Sequence, residues 1–314
     1  MRKNMFAVRQ FRFVAIATLA VFLLASGTKP ASAADQKTFP TPNAAMTALV
    51  AAVKARASDQ FATILGPELD GFNATRDKTQ DEYDRQLFLE GSRVLKLEKQ
   101  KDDPNTVVAY IGKIEWPFPA PLVKTSAGWK FDGKAALEEI RDRQIGRNEL
   151  EVIETCQGYI DAQLEYFLVD RHGDGYLQFA QKINSTPGKF DGLYWSNARG
   201  EEESPIGPFA AQAAGAEAIA SGESVPLFGY YFKILTAQGG AAVGGARSYL
   251  VDGRMIAGFA LVAWPAEYGV TGVSTFMVNQ LGIVYQKDLG PDTGQAARAM
   301  DRFSPDSTWT KAED

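Results

Sequence analysis

The sequence predicts an α+β fold, in which N-terminal helices and a β-meander are followed by a long helix and a C-terminal antiparallel sheet of four or five strands. Three observations support this class. Apolar residues recur at helical spacing from Thr41 to Leu65, and the longest helical pattern of the chain runs from Gly133 to Val169. After Gly229, runs of aromatic and β-branched residues alternate with turn residues, which is typical of antiparallel strands.

The first part of the mature chain, residues 34–135, is predicted to form an α+β domain. Thr41 is an N-cap candidate with Pro42 in the first helical position, and the pattern breaks near Ser58, so we expect two helices there. A further helix is expected within residues 81–94. Short runs that are typical of strands follow it, separated by Pro and Gly, and they predict the meander.

Residues 136–314 are predicted to form a second domain from the long helix, an irregular connection and the antiparallel sheet. Gly146 interrupts the helical pattern and is a candidate break in the helix. The connection, residues 170–224, is rich in Gly, Pro, Ser and Asn, and an Ala-rich segment within it predicts a short helix. In the sheet, the tetrapeptides VDGR and NQLG are typical of turns that join antiparallel neighbours.

The first 33 residues, 1–33, are predicted to be a cleaved signal peptide. Basic residues precede the apolar run from Phe13 to Leu24, and the small residues Ala31 to Ala33 suit a signal peptidase, so the mature chain would begin at Ala34. A single membrane anchor is the alternative interpretation, but the run is shorter than the roughly 20 residues that a spanning helix needs. We therefore expect a periplasmic or secreted protein with no stable membrane span after cleavage.

The charge of the chain argues against nucleic acid as a partner. The formal net charge is −5, and cleavage after Ala33 would remove five basic residues and no acidic ones, which lowers the charge to −10. Phosphate binding depends on clustered Lys and Arg, and no such run remains in the mature chain. The expected partner is an envelope protein or ligand of unknown identity.

The chain has one cysteine and one histidine, and these counts exclude several kinds of site. Cys156 is the only cysteine, so the chain has no internal disulfide, and its helical surroundings predict a buried, unreactive thiol. His172 is the only histidine, which excludes a histidine-rich zinc site and any Ser-His-Asp or Cys-His system that does not use it. No catalytic residue and no cofactor-binding residue is predicted.

The segment DRHGDGYLQFAQ has the spacing of a degenerate calcium loop. An EF-hand loop takes ligands from positions 1, 3, 5, 7, 9 and 12 and turns at a glycine in position 6. That spacing selects Asp170, His172, Asp174, Tyr176, Gln178 and Gln181 as metal ligands, with Gly175 at the turn. The helical pattern before the loop and the residues LQFAQKI within and after it fit a helix-loop-helix arrangement.

The same loop departs from a good calcium site in two ways. His172 is a poor ligand for a hard cation, and Gln181 cannot supply the bidentate carboxylate that gives much of the affinity. We therefore expect at most weak, millimolar calcium binding, and calcium is the only cofactor considered. A helix-capping turn is the alternative interpretation.

Other motifs favour ordinary structure over chemistry. The segment GGAAVGG lacks a P-loop lysine, and GVSTF lacks the last glycine of a nucleophile elbow, so Ser274 is interpreted as a strand residue. Four carboxylates could pair as in glycoside hydrolysis, but charged helix faces are usually solvated: Glu138, Glu139, Asp142 and Glu267. Trp264 in WPAEYG is interpreted as a core residue rather than a stacking platform for a ligand.

Four segments of the chain carry a family resemblance: GRNELEVIETCQGYIDAQLEY, STPGKFDGLYW, GYYFKILTAQG and RMIAGFALVAWPAEYGVTGVSTFMVNQLGIVYQKDLGPDT. They resemble the bacterial secreted family labelled domain of unknown function 2950, and the resemblance covers nearly all of the mature chain. It implies no reaction, because that family has no assigned activity. The layout is also similar to the globular heads of type IV pilins and pseudopilins, although here the apolar segment is a removable signal.

The sequence therefore predicts an exported envelope protein that acts by binding or interaction rather than by catalysis. One alternative is a hydrolase of envelope carbohydrate or peptide that uses carboxylates alone, and another is a weak calcium-binding module. Convergent Asp and Glu side chains in the largest cleft would favour the hydrolase. An aromatic patch on a smooth sheet face would favour binding.

Overall fold

The computed structural model describes residues 36–57, 60–69, 78–195, 203–207 and 226–312. The chain divides into two compact units, an N-terminal unit that ends at Arg143 and a C-terminal unit that begins at Gln144. The division falls inside the long helix. The predicted signal peptide and the Ala-rich segment of the connection lie outside the described residues.

The helices of the N-terminal unit are α1 (Pro42–Ala55), α2 (Phe61–Leu65) and α3 (Lys78–Gly91), and a 3-10 turn covers Pro67–Leu69. Thr41 Oγ1 accepts a hydrogen bond from the Ala44 amide at 3.1 Å, which confirms the predicted N-cap. Arg56 ends α1 in the left-handed conformation, with a φ of 56°. Its guanidinium lies 2.7 Å from the carboxylate of Glu82, so an ion pair joins the end of α1 to α3.

An antiparallel sheet follows these helices. Its strands are β1 (Leu95–Lys99), β2 (Thr106–Ile111), β3 (Trp116–Pro117), β4 (Leu122–Thr125) and β5 (Gly128–Phe131). Their order is β1-β2-β4-β5, and β3 pairs with β2. Phe39 covers the outer edge of β5 through two backbone hydrogen bonds with Trp129. The core of the unit contains buried side chains from the helices and the sheet, among them Met46, Leu49, Ile64, Phe118 and Phe131.

The long helix α4 (Gly133–Phe167) is continuous over 35 residues. The expected break at Gly146 is therefore wrong. A Cβ at this position would meet no heavy atom within 4 Å, so the glycine costs the helix only about 1 kcal/mol relative to alanine. The residues on both sides of Gly146 are mostly good helix formers (Arg, Gln, Glu and Leu), and their helix propensity keeps the helix continuous at the glycine.

The C-terminal unit is built around a second antiparallel sheet. The strands and the helix after α4 are β6 (Tyr230–Leu235), β7 (Ala237–Gln238), β8 (Arg247–Ser248), β9 (Leu250–Val251), β10 (Arg254–Met255), β11 (Ala260–Pro265), β12 (Ser274–Asn279), β13 (Tyr285–Asp288), α5 (Thr293–Ala299) and β14 (Thr310–Lys311). The main sheet has five strands in the order β14-β13-β12-β11-β6, and β7 with β8 and β9 with β10 form two-stranded ribbons. Asp252 and Gly253 turn the β9–β10 ribbon with positive φ angles of 49° and 78°, as the VDGR motif predicts.

The core of the C-terminal unit lies where α4 meets the main sheet. Strand β11 is buried at all six positions, so both of its faces are covered. The Tyr159 hydroxyl of α4 donates to the carbonyl of Ala260 at 3.1 Å, and its ring packs edge-on against Phe259. Helix α5 also packs against β11. Helices on antiparallel sheets confirm the predicted α+β class.

Candidate functional site

The predicted calcium loop folds as a tight polar turn directly after α4. Asp170 organises it, because Oδ1 accepts a hydrogen bond from the Gly173 amide and Oδ2 one from the Gly175 amide, both at 2.8 Å. Both glycines have positive φ angles, 66° and 81°, which favour glycine over residues with a side chain. The Asp170 carboxylate thus accepts backbone amides within the loop itself, and no helix begins at these amides for it to cap.

Asp174 is held by an ion pair with the β9–β10 ribbon. Its Oδ2 lies 2.8 Å from Nε of Arg254, and the guanidinium in turn lies 4.3 Å from the ring centroid of Tyr176. The pKa of Asp174 is lowered, first by the hydrogen bond from Arg254. A ligand that used this carboxylate would have to compete with that guanidinium.

Three other predicted calcium ligands, His172, Gln178 and Gln181, have separate surroundings. His172 Nε2 lies 3.4 Å from the hydroxyl of Tyr166, Gln178 is buried, and the amide of Gln181 donates to the carbonyl of Gly253 at 2.9 Å. In the described part of the chain, no three or more His, Cys, Asp and Glu side chains form a group that could hold a metal ion. Calcium binding at this loop stays a prediction.

The LQFAQKI segment, residues 177–183, fits the start of a helix, but the structure shows no helix there. The chain instead runs along the β9–β10 ribbon, where the Phe179 amide donates to the carbonyl of Met255 at 2.8 Å. The ring of Phe179 also stacks on Phe167 with 4.5 Å between centroids. Tertiary contacts of this phenylalanine thus outweigh the local helical preference.

The N-terminal unit contains a concave cleft. It has a volume of about 280 Å³ and lies between the C-terminal half of α3 and the β2–β3 hairpin. Its lining residues are Tyr83, Asp84, Leu87, Phe88, Glu90, Gly91, Ile111, Gly112, Ile114 and Trp116. Most of these side chains are apolar, which is typical of sites that bind small molecules.

The spacing of residues in α3 explains one wall of the cleft. Asp84, Leu87, Phe88 and Gly91 are separated by three or four residues, so they share one face of the helix. Gly91 has no side chain, and a Cβ there would come within 2.8 Å of Ile111 Cγ2, so only glycine lets the helix end approach β2 this closely.

The β2–β3 hairpin forms the other wall. Gly112 begins its turn with a φ of 76°, a conformation that glycine adopts without strain. Trp116 is fixed by its neighbours: the guanidinium of Arg143 lies 5.1 Å from its ring centroid, and the ring packs edge-on against Phe118. Ile114 is 68% exposed at the mouth of the cleft, and a side chain of this size at the surface is available to a ligand.

The one exposed charged side chain among the described residues that line the cleft is negative. Asp84 is only 6% exposed and Glu90 is exposed, and no Lys, Arg or His belongs to the described residues that line the cleft. Glu82 lies on the same helix but does not line the cleft, and its carboxylate forms ion pairs with Arg56 and Arg85. The hydrogen bond from Arg85 is the largest of several contacts that lower the pKa of Glu82 to about 2.

The other sequence motifs serve the fold. Ser274 begins β12, as predicted, and Trp264 is a core residue that is 5% exposed. The glycine-rich segment is fastened by the side-chain amide of Gln238, which donates to the carbonyls of Val243 and Gly245. Burial of Cys156 raises the pKa of its thiol to about 12, as expected of an unreactive cysteine.

Sequence reasoning did not identify the cleft. The apolar face of α3 is visible as helical spacing, but its partner wall lies in a hairpin that begins fifteen residues after the end of α3. The one available signal is the pair of glycines, Gly91 and Gly112, at the end of a helix and at the end of a strand, where close approach of two backbones is common.

These features define a two-unit α+β protein with a small, acidic and largely apolar cleft in its N-terminal unit. Among the described residues, no helix is both long enough and apolar enough to cross a membrane. The chain belongs to the family described as protein of unknown function (DUF2950), whose model matches residues 36–312. This match confirms the family resemblance of the sequence. Neither a curated protein nor a solved structure matches the chain.

Proposed function

We propose that this chain is a non-enzymatic, exported protein of the bacterial envelope that binds a small, largely apolar molecule. The observation that carries the proposal is the cleft between α3 and the β2–β3 hairpin. Its volume of about 280 Å³ is close to the lower end of small-molecule sites, which span roughly 300–1,000 Å³. Export is supported by the basic start, the short apolar run and the small residues at Ala31 to Ala33.

The placement of the carboxylates favours binding over hydrolysis. A glycosidase needs two carboxyl groups that flank the scissile bond. Here Asp84 and Glu90 both belong to α3, where a spacing of six residues places them about 120° apart around the helix axis. The facing wall, from Ile111 to Trp116, contributes no carboxylate to the described lining, so the two acids do not face each other across the cleft.

Glu138 and Glu139, two of the carboxylates singled out in the sequence, each lie close to a basic side chain of their own helix. Glu139 forms an ion pair with Arg143 at 2.7 Å, and Glu138 lies 4.0 Å from Lys134. Both are contacts between residues four apart on the surface of α4, which is the ordinary arrangement of a solvated helix face. Glu267 is exposed and lies in the C-terminal unit.

A binding titration with hexanol tests the proposal. The indole resonance of Trp116, assigned by comparison with Trp116→Phe, should shift and saturate, because Trp116 lines the cleft. Ile114→Ser should weaken binding about three- to tenfold, since each apolar carbon removed from contact costs on the order of 0.8 kcal/mol. Val243→Ser is the matched control, because Val243 is 72% exposed in the C-terminal unit.

Absence of a saturable shift at Trp116 would rule out the cleft as the binding site. The same conclusion would follow if Val243→Ser weakened binding as much as Ile114→Ser. Neither substitution should unfold the protein, because both side chains are mostly exposed and surface substitutions usually change stability by less than about 0.5 kcal/mol.

A further inference from the structure

The cleft has an uneven distribution of charge along its length. Glu90 is exposed at the end of α3, and its carboxylate forms no ion pair with any described residue of the chain. The rest of the lining is apolar apart from Asp84, which is buried in the same helix. A ligand in this cleft therefore meets an apolar surface with a negative group at one end.

The direction of α3 adds to this negative charge. The helix has 14 residues and ends at Gly91, beside Glu90. The carbonyls of the last turn are satisfied, since Phe88 accepts from the Ser92 amide and Gly91 from the Val94 and Gly112 amides. They still form the negative end of the helix dipole, where a cation is favoured and an anion is not.

The size of the cleft favours a small molecule over a protein partner. A volume of about 280 Å³ holds roughly nine water molecules at ~30 Å³ each. A stable protein interface would instead bury on the order of 800 Å² on each partner. The complementary occupant is therefore small, apolar over most of its length, and positively charged at one end.

We infer that the cleft selects a small cationic amphiphile, with an apolar body between Leu87 and Ile114 and an ammonium group at Glu90. The inference rests on the proposed function and specifies its ligand class. Glu90 acts as the residue that determines the charge of the ligand. The apolar walls supply most of the binding and no charge selectivity.

Three probes of equal chain length separate charge from apolar contact: hexylamine, hexanol and hexanoate. We expect hexylamine to bind the mature protein most tightly and hexanoate most weakly, with dissociation constants at least tenfold apart. Added salt should weaken the binding of hexylamine and leave that of hexanol unchanged, because ions screen an exposed charge pair. The shift of the Trp116 indole resonance gives all three constants.

Substitution of Glu90 tests the assigned residue. Glu90→Gln should bring the dissociation constants of hexylamine and hexanol to within about twofold of each other, while the constant for hexanol stays the same. Glu138→Gln is the matched control, because Glu138 is an exposed helical glutamate outside the cleft lining, and it should change none of the constants.

The outcomes distinguish this inference from the proposed function. Equal binding of the three probes would overturn the charge selectivity and leave the cleft as an apolar site. A preference for hexylamine that survives Glu90→Gln would overturn the role of Glu90. Absence of binding by all three probes would overturn both the inference and the proposed function.

Discussion

Glu149 Oε1 lies 2.8 Å from the backbone nitrogen of Ser274, so a helix side chain caps the start of a strand. The same oxygen accepts from the amide of Val273 at 2.9 Å and lies 3.4 Å from the hydroxyl of Tyr230. The other oxygen, Oε2, lies 3.3 Å from the Ser274 hydroxyl. One carboxylate on α4 thus satisfies several donors at the edge where β12 begins.

Glu149→Gln should destabilise the protein by about 1–3 kcal/mol, because hydrogen bonds to a charged acceptor are stronger than those to a neutral amide oxygen. The midpoint of urea unfolding measures this change. Glu154→Gln is the control, since Glu154 is exposed on the same helix, and it should change the midpoint little. Equal effects of the two substitutions would contradict the capping role of Glu149.

Gly272→Ala should be strongly destabilising, by several kcal/mol, because a Cβ at this position would overlap the hydroxyl and ring of Tyr230. Gly146→Ala should have the opposite effect. It replaces a helical glycine that has free space around it, and we expect a gain of about 0.5–1 kcal/mol. Thermal unfolding checks both predictions: the melting temperature should fall for Gly272→Ala and rise for Gly146→Ala. A stabilised Gly272→Ala would refute the packing described for Tyr230.

Asp191 should make stability depend on pH in the acid range. Partial burial raises the pKa of Asp191, but hydrogen bonds from Lys182 and Thr186 outweigh that effect and lower it to about 2. A lowered pKa in the folded state adds stability above the unfolded pKa of about 3.9, and this stability is lost as the pH falls through about 2.

Asp191→Asn removes that contribution. At neutral pH it should cost about 1 kcal/mol, a value discounted for screening at a partly exposed site, and the difference from the unmodified protein should vanish near pH 2. Asp161→Asn, at an exposed position of α4, is the control. A difference that stays constant with pH would mean that the Asp191 contacts do not depend on its charge.

Calcium at about 5 mM should stabilise the protein by no more than about 1 kcal/mol, which corresponds to a dissociation constant of about 1 mM or weaker. Asp170→Ala should lower the melting temperature, because three amides lose their acceptor. The loss should be the same with and without calcium. A large calcium-dependent rise that Asp170→Ala abolishes would show that the loop is a metal site.

The export prediction concerns the start of the mature chain. N-terminal sequencing of protein from the native envelope should begin at Ala34, within one or two residues, because the small residues at Ala31 to Ala33 suit a signal peptidase. The recovery of chains that start at Met1 in the membrane fraction would favour the membrane anchor instead.

Local signals in the sequence were sufficient to predict much of the fold. Thr41 with Pro42 predicts the start of α1, and the VDGR motif predicts the turn of the β9–β10 ribbon, because each depends on backbone geometry within a few residues. The continuity of α4 through Gly146 could not be predicted. The low helix propensity of one glycine opposes the summed helix propensities of its neighbours, and the sequence does not show which is larger.

The sites depend on contacts between distant segments, which one sequence does not reveal. The ion pair of Asp174 with Arg254 spans 80 residues and gives a carboxylate of the predicted calcium loop a different partner. The cleft forms only where α3 packs against the β2–β3 hairpin, because each of them supplies one wall. Periodicity identifies the face of a helix, but not the surface that this face meets.

Burial of the only thiol, at Cys156, makes the protein a convenient host for site-specific spectroscopic labels. A thiol with a pKa near 12 and no solvent access reacts slowly with maleimides at neutral pH, so no cysteine-free background is needed. A single cysteine introduced at Ile114, which is exposed, could then carry a fluorophore or a spin label at the mouth of the cleft. Such a label would report the arrival of a ligand directly, at a position that itself lines the cleft.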